Sequence, residues 1–212
     1  MRKIFIILFY ILIPFITLKS QSDQEAVSIL DKFSSAAISA PSVSIDFLLI
    51  TDDQMENYRD TIAGSVILSK DSYRLDLPDN IIWYNGKTSW SYLPAEREVT
   101  ITEPDKEDDS FQSRPSSIFS MYKSGYKCRL LQENTNSWLI DLYPEDTKEE
   151  LIRVRLNIEK PSLKLLSAEY KRRDGITLTL SVKDYDLGKT PEPDMFSFTA
   201  SKYKGVEVID MR

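Results

Sequence analysis

Residues 60–102 read DTIAGSVILSKDSYRLDLPDNIIWYNGKTSWSYLPAEREVTIT, and their apolar residues recur with a period of two. Ile62, Val66 and Leu68 fall on one side of a strand over 60–69. Over 72–77, Tyr73, Leu75 and Leu77 alternate with Arg74 and Asp76. Such alternation marks strands with one face in a core and the other in water. Two more strands flank Asn85-Gly86, the strongest short-range hairpin signal, and REVTIT at 97–102 makes the next. A two-residue turn at Asn85-Gly86 would set Trp83 opposite Thr88, Ile81 opposite Trp90 and Asp79 opposite Tyr92. Ile81, Trp83, Trp90 and Tyr92 then share a face that holds two of the three tryptophans. A packed core beneath a helix and the wall of an apolar cavity would both use such a face.

The same period extends in both directions. Upstream, VSIDFLLIT at 43–51 puts Val43, Ile45, Phe47 and Leu49 together. Before Pro41, Ser22 and Glu25 have the spacing of a capping box, followed by a helical stripe of Val27, Ile29, Leu30, Phe33 and Ala37. Downstream, 103–114 is a charged loop. Pro115 suits a first helical turn and leads a short amphipathic segment with Ile118, Phe119, Met121 and Tyr122. Strands resume at 125–132, 136–143, 151–159, 163–173 and, after Asp174-Gly175, 176–186, with short ones expected at 195–199 and 205–210. In LIRVRLNI at 151–158, Ile152, Val154, Leu156 and Ile158 point inward, and Arg153 and Arg155 outward. No linker divides the series. The predicted fold is mainly β (α+β): a single large curved antiparallel sheet or half-barrel of about eleven strands, with helices covering its concave face.

The N-terminus supplies an address. Arg2 and Lys3 precede an apolar run from Ile4 to Leu18, then small polar residues. This is the pattern of a secretory signal peptide, cleaved near Ser20 or Ser22. The run is short for a membrane span, which needs about 20 apolar residues. The expected mature domain, 23–212, is exported from the cytoplasm. It loses Arg2, Lys3 and Lys19, which leaves 24 basic against 33 acidic residues and moves the net charge from −6 to −9.

Composition narrows the chemistry. The 212 residues contain no histidine, one cysteine and six scattered glycines. Imidazole bases, Ser-His-Asp and Cys-His sites and Gly-rich phosphate loops are therefore excluded. Cys128 reads as a small buried apolar residue in a strand. Asp105, Glu107, Asp108 and Asp109, and likewise Glu145, Asp146, Glu149 and Glu150, read as solvated connections, because no Gly-spaced calcium loop is present. An acidic chain lacks the positive field that nucleic acid requires. The expectation is a monomer that is not an enzyme, with no metal, no cofactor and no nucleic-acid partner.

Three stretches carry a family resemblance: GSVILSKDSYRLDLP at 64–78, NGKTSWSYLP at 85–94 and REVTIT at 97–102. With FSFTASKYKGVEVID at 196–210, their order and spacing resemble the outer-membrane lipoprotein carrier family, LolA. Asn85 stands for the family's usual Asp, and Ala200 and Ser201 for its Pro pair. The resemblance implies a lidded half-barrel that takes acylated lipoproteins from an inner-membrane ABC transporter to an outer-membrane acceptor. A family Arg that controls the lid aligns near Lys70, which makes Lys70 the expected gating charge. The expected cavity lining is Val43, Ile45, Phe47, Val66, Leu68, Leu75, Ile81, Trp83, Trp90 and Tyr92, with Ile118, Phe119 and Tyr122 on the lid. Alternative readings are a carrier of another lipid, glycolipid or apolar metabolite, or an envelope protein-binding or sensor domain on the same fold.

Overall fold

A computed structural model describes residues 18–104, 113–192 and 194–212. The predicted signal segment before residue 18 and the acidic loop with Asp105, Glu107, Asp108 and Asp109 lie outside the described residues. One helix, α1 (Leu18–Ser39), precedes β1 (Val43–Asp53), β2 (Tyr58–Ser69), β3 (Ser72–Asp76), β4 (Ile81–Tyr84), β5 (Ser89–Leu93) and β6 (Glu98–Thr102). Two short 3-10 turns, η1 (Pro115–Phe119) and η2 (Met121–Lys123), lead into β7 (Tyr126–Glu133), β8 (Ser137–Pro144), β9 (Leu151–Glu159), β10 (Leu165–Arg172) and β11 (Ile176–Asp186). A third turn, η3 (Ala200–Lys202), precedes β12 (Glu207–Asp210).

The strands form one open curved sheet in the order β12-β6-β5-β4-β3-β2-β1-β11-β10-β9-β8-β7. The chain winds outward from β1 through β6, then returns from the far edge at β7 to close β11 against the other side of β1. Among the described strands every pairing is antiparallel except β12 on β6. That parallel strand brings the count to twelve. Residues 195–199, expected as a strand, instead form a turn and an irregular approach to η3.

Register divides the sheet into two chemically different faces. Ile45 pairs with Val66, Val66 with Leu75 and Leu75 with Ile82. In the other direction Leu49 pairs with Leu180, Leu180 with Ala168, Ala168 with Leu156 and Leu156 with Ile140. These residues share the inner face. Helix α1 lies against this face, burying Ala26, Ile29, Leu30, Phe33 and Ala37 in the same cluster. Those positions recur every three or four residues and make one helical stripe. Two details of the predicted helix change. Ala26 rather than Val27 belongs to the stripe, since Val27 is 39% exposed. Ser22 lies inside α1 and not at its N-cap.

The hairpin turn sits one residue later than predicted. Gly86 and Lys87 are its central residues, and only Gly86, with φ of 90°, has positive φ. That is the pattern of a turn with glycine first. The Asn85 Oδ1 atom accepts from the backbone N–H of Lys87 at 3.1 Å and of Thr88 at 2.9 Å, which fixes the position. Trp83 therefore faces Trp90, and Ile81 faces Tyr92. The shift preserves parity, so these four residues still share a face.

Gly64 pairs with Phe47 across β1 and β2. A Cβ at Gly64 would lie 2.7 Å from Phe47 Cζ and 2.8 Å from Leu77 Cδ2, both on buried side chains. Strand propensity favours alanine over glycine by about 0.5–1 kcal/mol, but overpacking a rigid ring costs about 1–3 kcal/mol. Gly64→Ala should therefore lose about 1–3 kcal/mol in urea unfolding. An unchanged or raised midpoint would show that Phe47 and Leu77 can move aside.

Candidate functional site

The inner face is an apolar sheet surface with a two-part cover. Val43, Ile45, Phe47, Val66, Leu68 and Leu75 are all on it and all buried. The cover is α1 together with η1 and η2, which place Ile118, Phe119 and Tyr122 in the same cluster. Pro115 at the start of η1 has the fixed φ that a first helical turn needs. The two parts are joined. The rings of Phe33 and Phe119 lie 5.1 Å apart. The Tyr122 hydroxyl donates to Asp31 Oδ1 on α1 at 2.6 Å. Burial, and then this bond to Asp31, push the Tyr122 pKa up to about 12, so the hydroxyl keeps its proton. Next to it, burial lifts the Cys128 thiol to about 11 and leaves it an inert apolar group.

The cover meets the sheet through Tyr73. Its hydroxyl donates to the Ser113 carbonyl at 3.1 Å, just before η1. Lys70, the expected gating charge, is exposed in the β2–β3 turn with φ of 52° and makes no ion pair among the described residues. Tyr73, absent from the predicted set, makes the contact with Ser113 ahead of η1. Its position in a period-two run gave its inward direction but not its hydroxyl's partner.

Coverage is graded along the strands. Val43, Ile45 and Phe47 at the start of β1 are buried, but Leu49 further along is half-buried. Ile62, opposite Leu49 on β2, is half-buried too, as are Tyr170 and Leu178, which pair with each other on β10 and β11. The apolar inner face thus continues past its cover into partly open surface.

The hairpin aromatics belong elsewhere. Arg74 pairs with Trp83, Trp83 with Trp90 and Trp90 with Ile101, so Ile81, Trp83, Trp90 and Tyr92 lie on the outer face, away from α1. This corrects their place in the predicted cavity lining. Ile82, one residue away, is the buried inner-face residue of β4. The chain's C-terminal stretch covers the outer aromatics. Phe198 and Tyr203 stand edge-on to Trp83 at 5.7 and 5.8 Å, and Tyr92 meets Tyr203 at 4.9 Å. The Arg74 guanidinium lies 5.6 Å over the Trp83 ring, held by bonds of 2.7–3.2 Å to Asp76. Beside them is an open depression of about 240 Å³ lined by Arg74, Trp83, Asp194 and Tyr203.

Comparison with known proteins agrees with this architecture. Residues 16–175 match the family model described as outer membrane lipoprotein carrier protein LolA. The chain belongs to that family. A search of curated proteins finds no match. An uncharacterized conserved protein from Thermus thermophilus has the same fold, with a TM-score of 0.56 at 14% identity, over 90% of this chain and 99% of that one. A putative outer membrane lipoprotein-sorting domain from Vibrio parahaemolyticus aligns with a TM-score of 0.45 at 10% identity, over 82% of this LolA-family chain and 97% of its own. A LolA superfamily protein from Nitrosomonas europaea aligns at 0.43 and 13% identity, over 82% and 97%.

Trp83 is 3% exposed although it lies outside the inner core. Trp83→Ala should cost about 3–5 kcal/mol in denaturant unfolding by stripping the support of Phe198 and Tyr203. A loss below about 1 kcal/mol would mean that the C-terminal stretch holds its place without that ring.

Proposed function

We propose that this LolA-family chain is an envelope carrier that shelters the acyl chains of lipoproteins on its inner face and performs no covalent chemistry. In this reading it is exported to the periplasm, is loaded by an inner-membrane ABC transporter and unloads to an outer-membrane acceptor. The observation that carries the proposal is the apolar inner face that runs from β4 through β1 and β11 to β8, buried under α1, η1 and η2 at one end and half-open at Leu49, Ile62 and Leu178. Family membership supports the same reading.

The physical demand is clear. Each buried CH₂ of an acyl chain is worth about 0.8 kcal/mol, so several chains cannot cross water unshielded. Non-covalent affinity saturates near about −18 to −21 kcal/mol, so a carrier must shelter its cargo without gripping every methylene. An apolar face with an exchangeable apolar cover meets both demands. Acyl chains that enter past Leu178 replace the contacts that Phe33, Ile118 and Phe119 make in the covered state.

The test is release of a lipoprotein from spheroplasts by the purified protein, with co-purifying lipid identified by mass spectrometry. Soluble protein–lipoprotein complexes are expected. Leu178→Asp places a charge on the entry surface and should cut capture by roughly tenfold or more. Trp90→Asp on the outer face should leave capture unchanged. Free lipid without lipoprotein would redirect the proposal to another lipid cargo. Capture that depends on Trp90 and not on Leu178 would refute the inner face as the site.

A further inference from the structure

The outer face of β7 to β10 carries a charged array that lipid shelter does not use. Arg129 pairs with Asp141, Asp141 with Arg155, and Arg155 with Glu169, so charge alternates across four neighbouring strands. At about 4.8 Å per strand the row spans about 15 Å. Lys127 lies beside it, paired with Tyr143, and Arg153 is paired with Lys171. The centre is rigid. Asp141 is fully buried and accepts from Arg155 at 2.7 and 2.9 Å and from the Tyr143 hydroxyl at 2.9 Å. Arg153 bonds Glu169, and its Nε lies 4.0 Å from Asp141. Burial by itself would raise the Asp141 pKa, but the bonds from Arg155 and Tyr143 and the two guanidinium charges hold it below the usual range.

Lys127, Arg129, Arg153, Arg155 and Lys171 stand here against Asp141, Glu169 and, at the far end of β9, Glu159, in a chain whose formal net charge is −6. Lys127, Arg129 and Lys171 are exposed and have no ion pair among the described residues. Thr177 and Thr179 on β11 extend the face with hydroxyls. Exposed, unneutralised cations around a fixed polar centre, on an otherwise acidic protein, form a complementary surface for an anionic partner.

We propose that this face docks an acidic segment of a protein partner. Two features favour a protein over an anionic membrane. The row spans only about 15 Å on a chain of formal net charge −6, so an extended anionic membrane would also face the acidic surface around it, whereas a peptide segment can sit over the cations alone. The face is also opposite α1, so a partner held there leaves the inner face and its cover free to exchange cargo. This second argument rests on the carrier reading.

Fluorescence anisotropy with labelled poly-L-glutamate, at rising ionic strength and in the absence of lipid, tests the proposal without involving cargo. Saturable binding that weakens with salt is expected. The Lys127→Glu/Arg129→Glu/Lys171→Glu variant should bind at least roughly tenfold more weakly. A control with the same charge change elsewhere, Lys87→Glu/Lys189→Glu/Lys204→Glu, should bind nearly as the parent does. Circular dichroism should show both variants folded, since all six side chains are exposed. Absence of saturable binding by the parent, equal losses in the two variants, or binding to phosphatidylglycerol vesicles with none to the peptide would each overturn the proposal.

Discussion

Everything in this molecule depends on covering one apolar sheet face. A sheet of twelve strands with an inner face built from Val43, Ile45, Phe47, Val66, Leu75, Leu156 and Leu180 would aggregate if left bare. Burying each such side chain is worth about 1.5–3 kcal/mol, so α1 and the η1–η2 segment are held mainly by the apolar area they remove from water. The polar ties are few by comparison. A hydrogen bond such as that from Tyr122 to Asp31 contributes about 0.5–1.5 kcal/mol net, enough to join the two parts of the cover but small beside the burial. In the proposed carrier reading, acyl chains displace the cover because they offer equivalent apolar area, and water does not.

The outer face follows a different rule. Its aromatics near β4 and β5 are sealed by Phe198 and Tyr203 from the C-terminal stretch, which then adds β12 to the β6 edge. On β8 and β9 it is a charged lattice around a buried Asp141. A buried carboxylate is tolerated only when its partners are fixed, and Arg155 and Tyr143 supply them. Both arrangements tie the outer face to fixed partners, whereas the cover on the inner face is held mainly by apolar contact.

Much of this was legible in the sequence because burial on one side writes alternation into a strand. Val154, Leu156 and Ile158 against Arg153 and Arg155 left little choice of direction, and the α1 stripe was nearly as clear. The β4–β5 hairpin was not legible in the same way. Ile82 and Tyr84 oppose Ile81 and Trp83, so both sides of β4 are apolar and neither is marked as inner. The pairs were shifted but correctly grouped, because moving a turn by one residue keeps parity. What decided their side was the distant C-terminal stretch, where Phe198 and Tyr203 sit in irregular chain without a period. The link from sheet to cover was hidden for another reason: an alignment can suggest where a cation stands, as at Lys70, but not that the Tyr73 hydroxyl reaches the Ser113 carbonyl.

The central claim is that α1 and residues 115–123 leave the inner face together when acyl chains take their place. Amide hydrogen exchange, followed by mass spectrometry with and without a triacylated lipopeptide, addresses it directly. Exchange in α1 and in 115–123 should accelerate together on lipopeptide binding, while β1, β9 and β11 stay protected. Faster exchange in the sheet with the cover still protected, or lipopeptide binding with no change in the cover, would contradict the account.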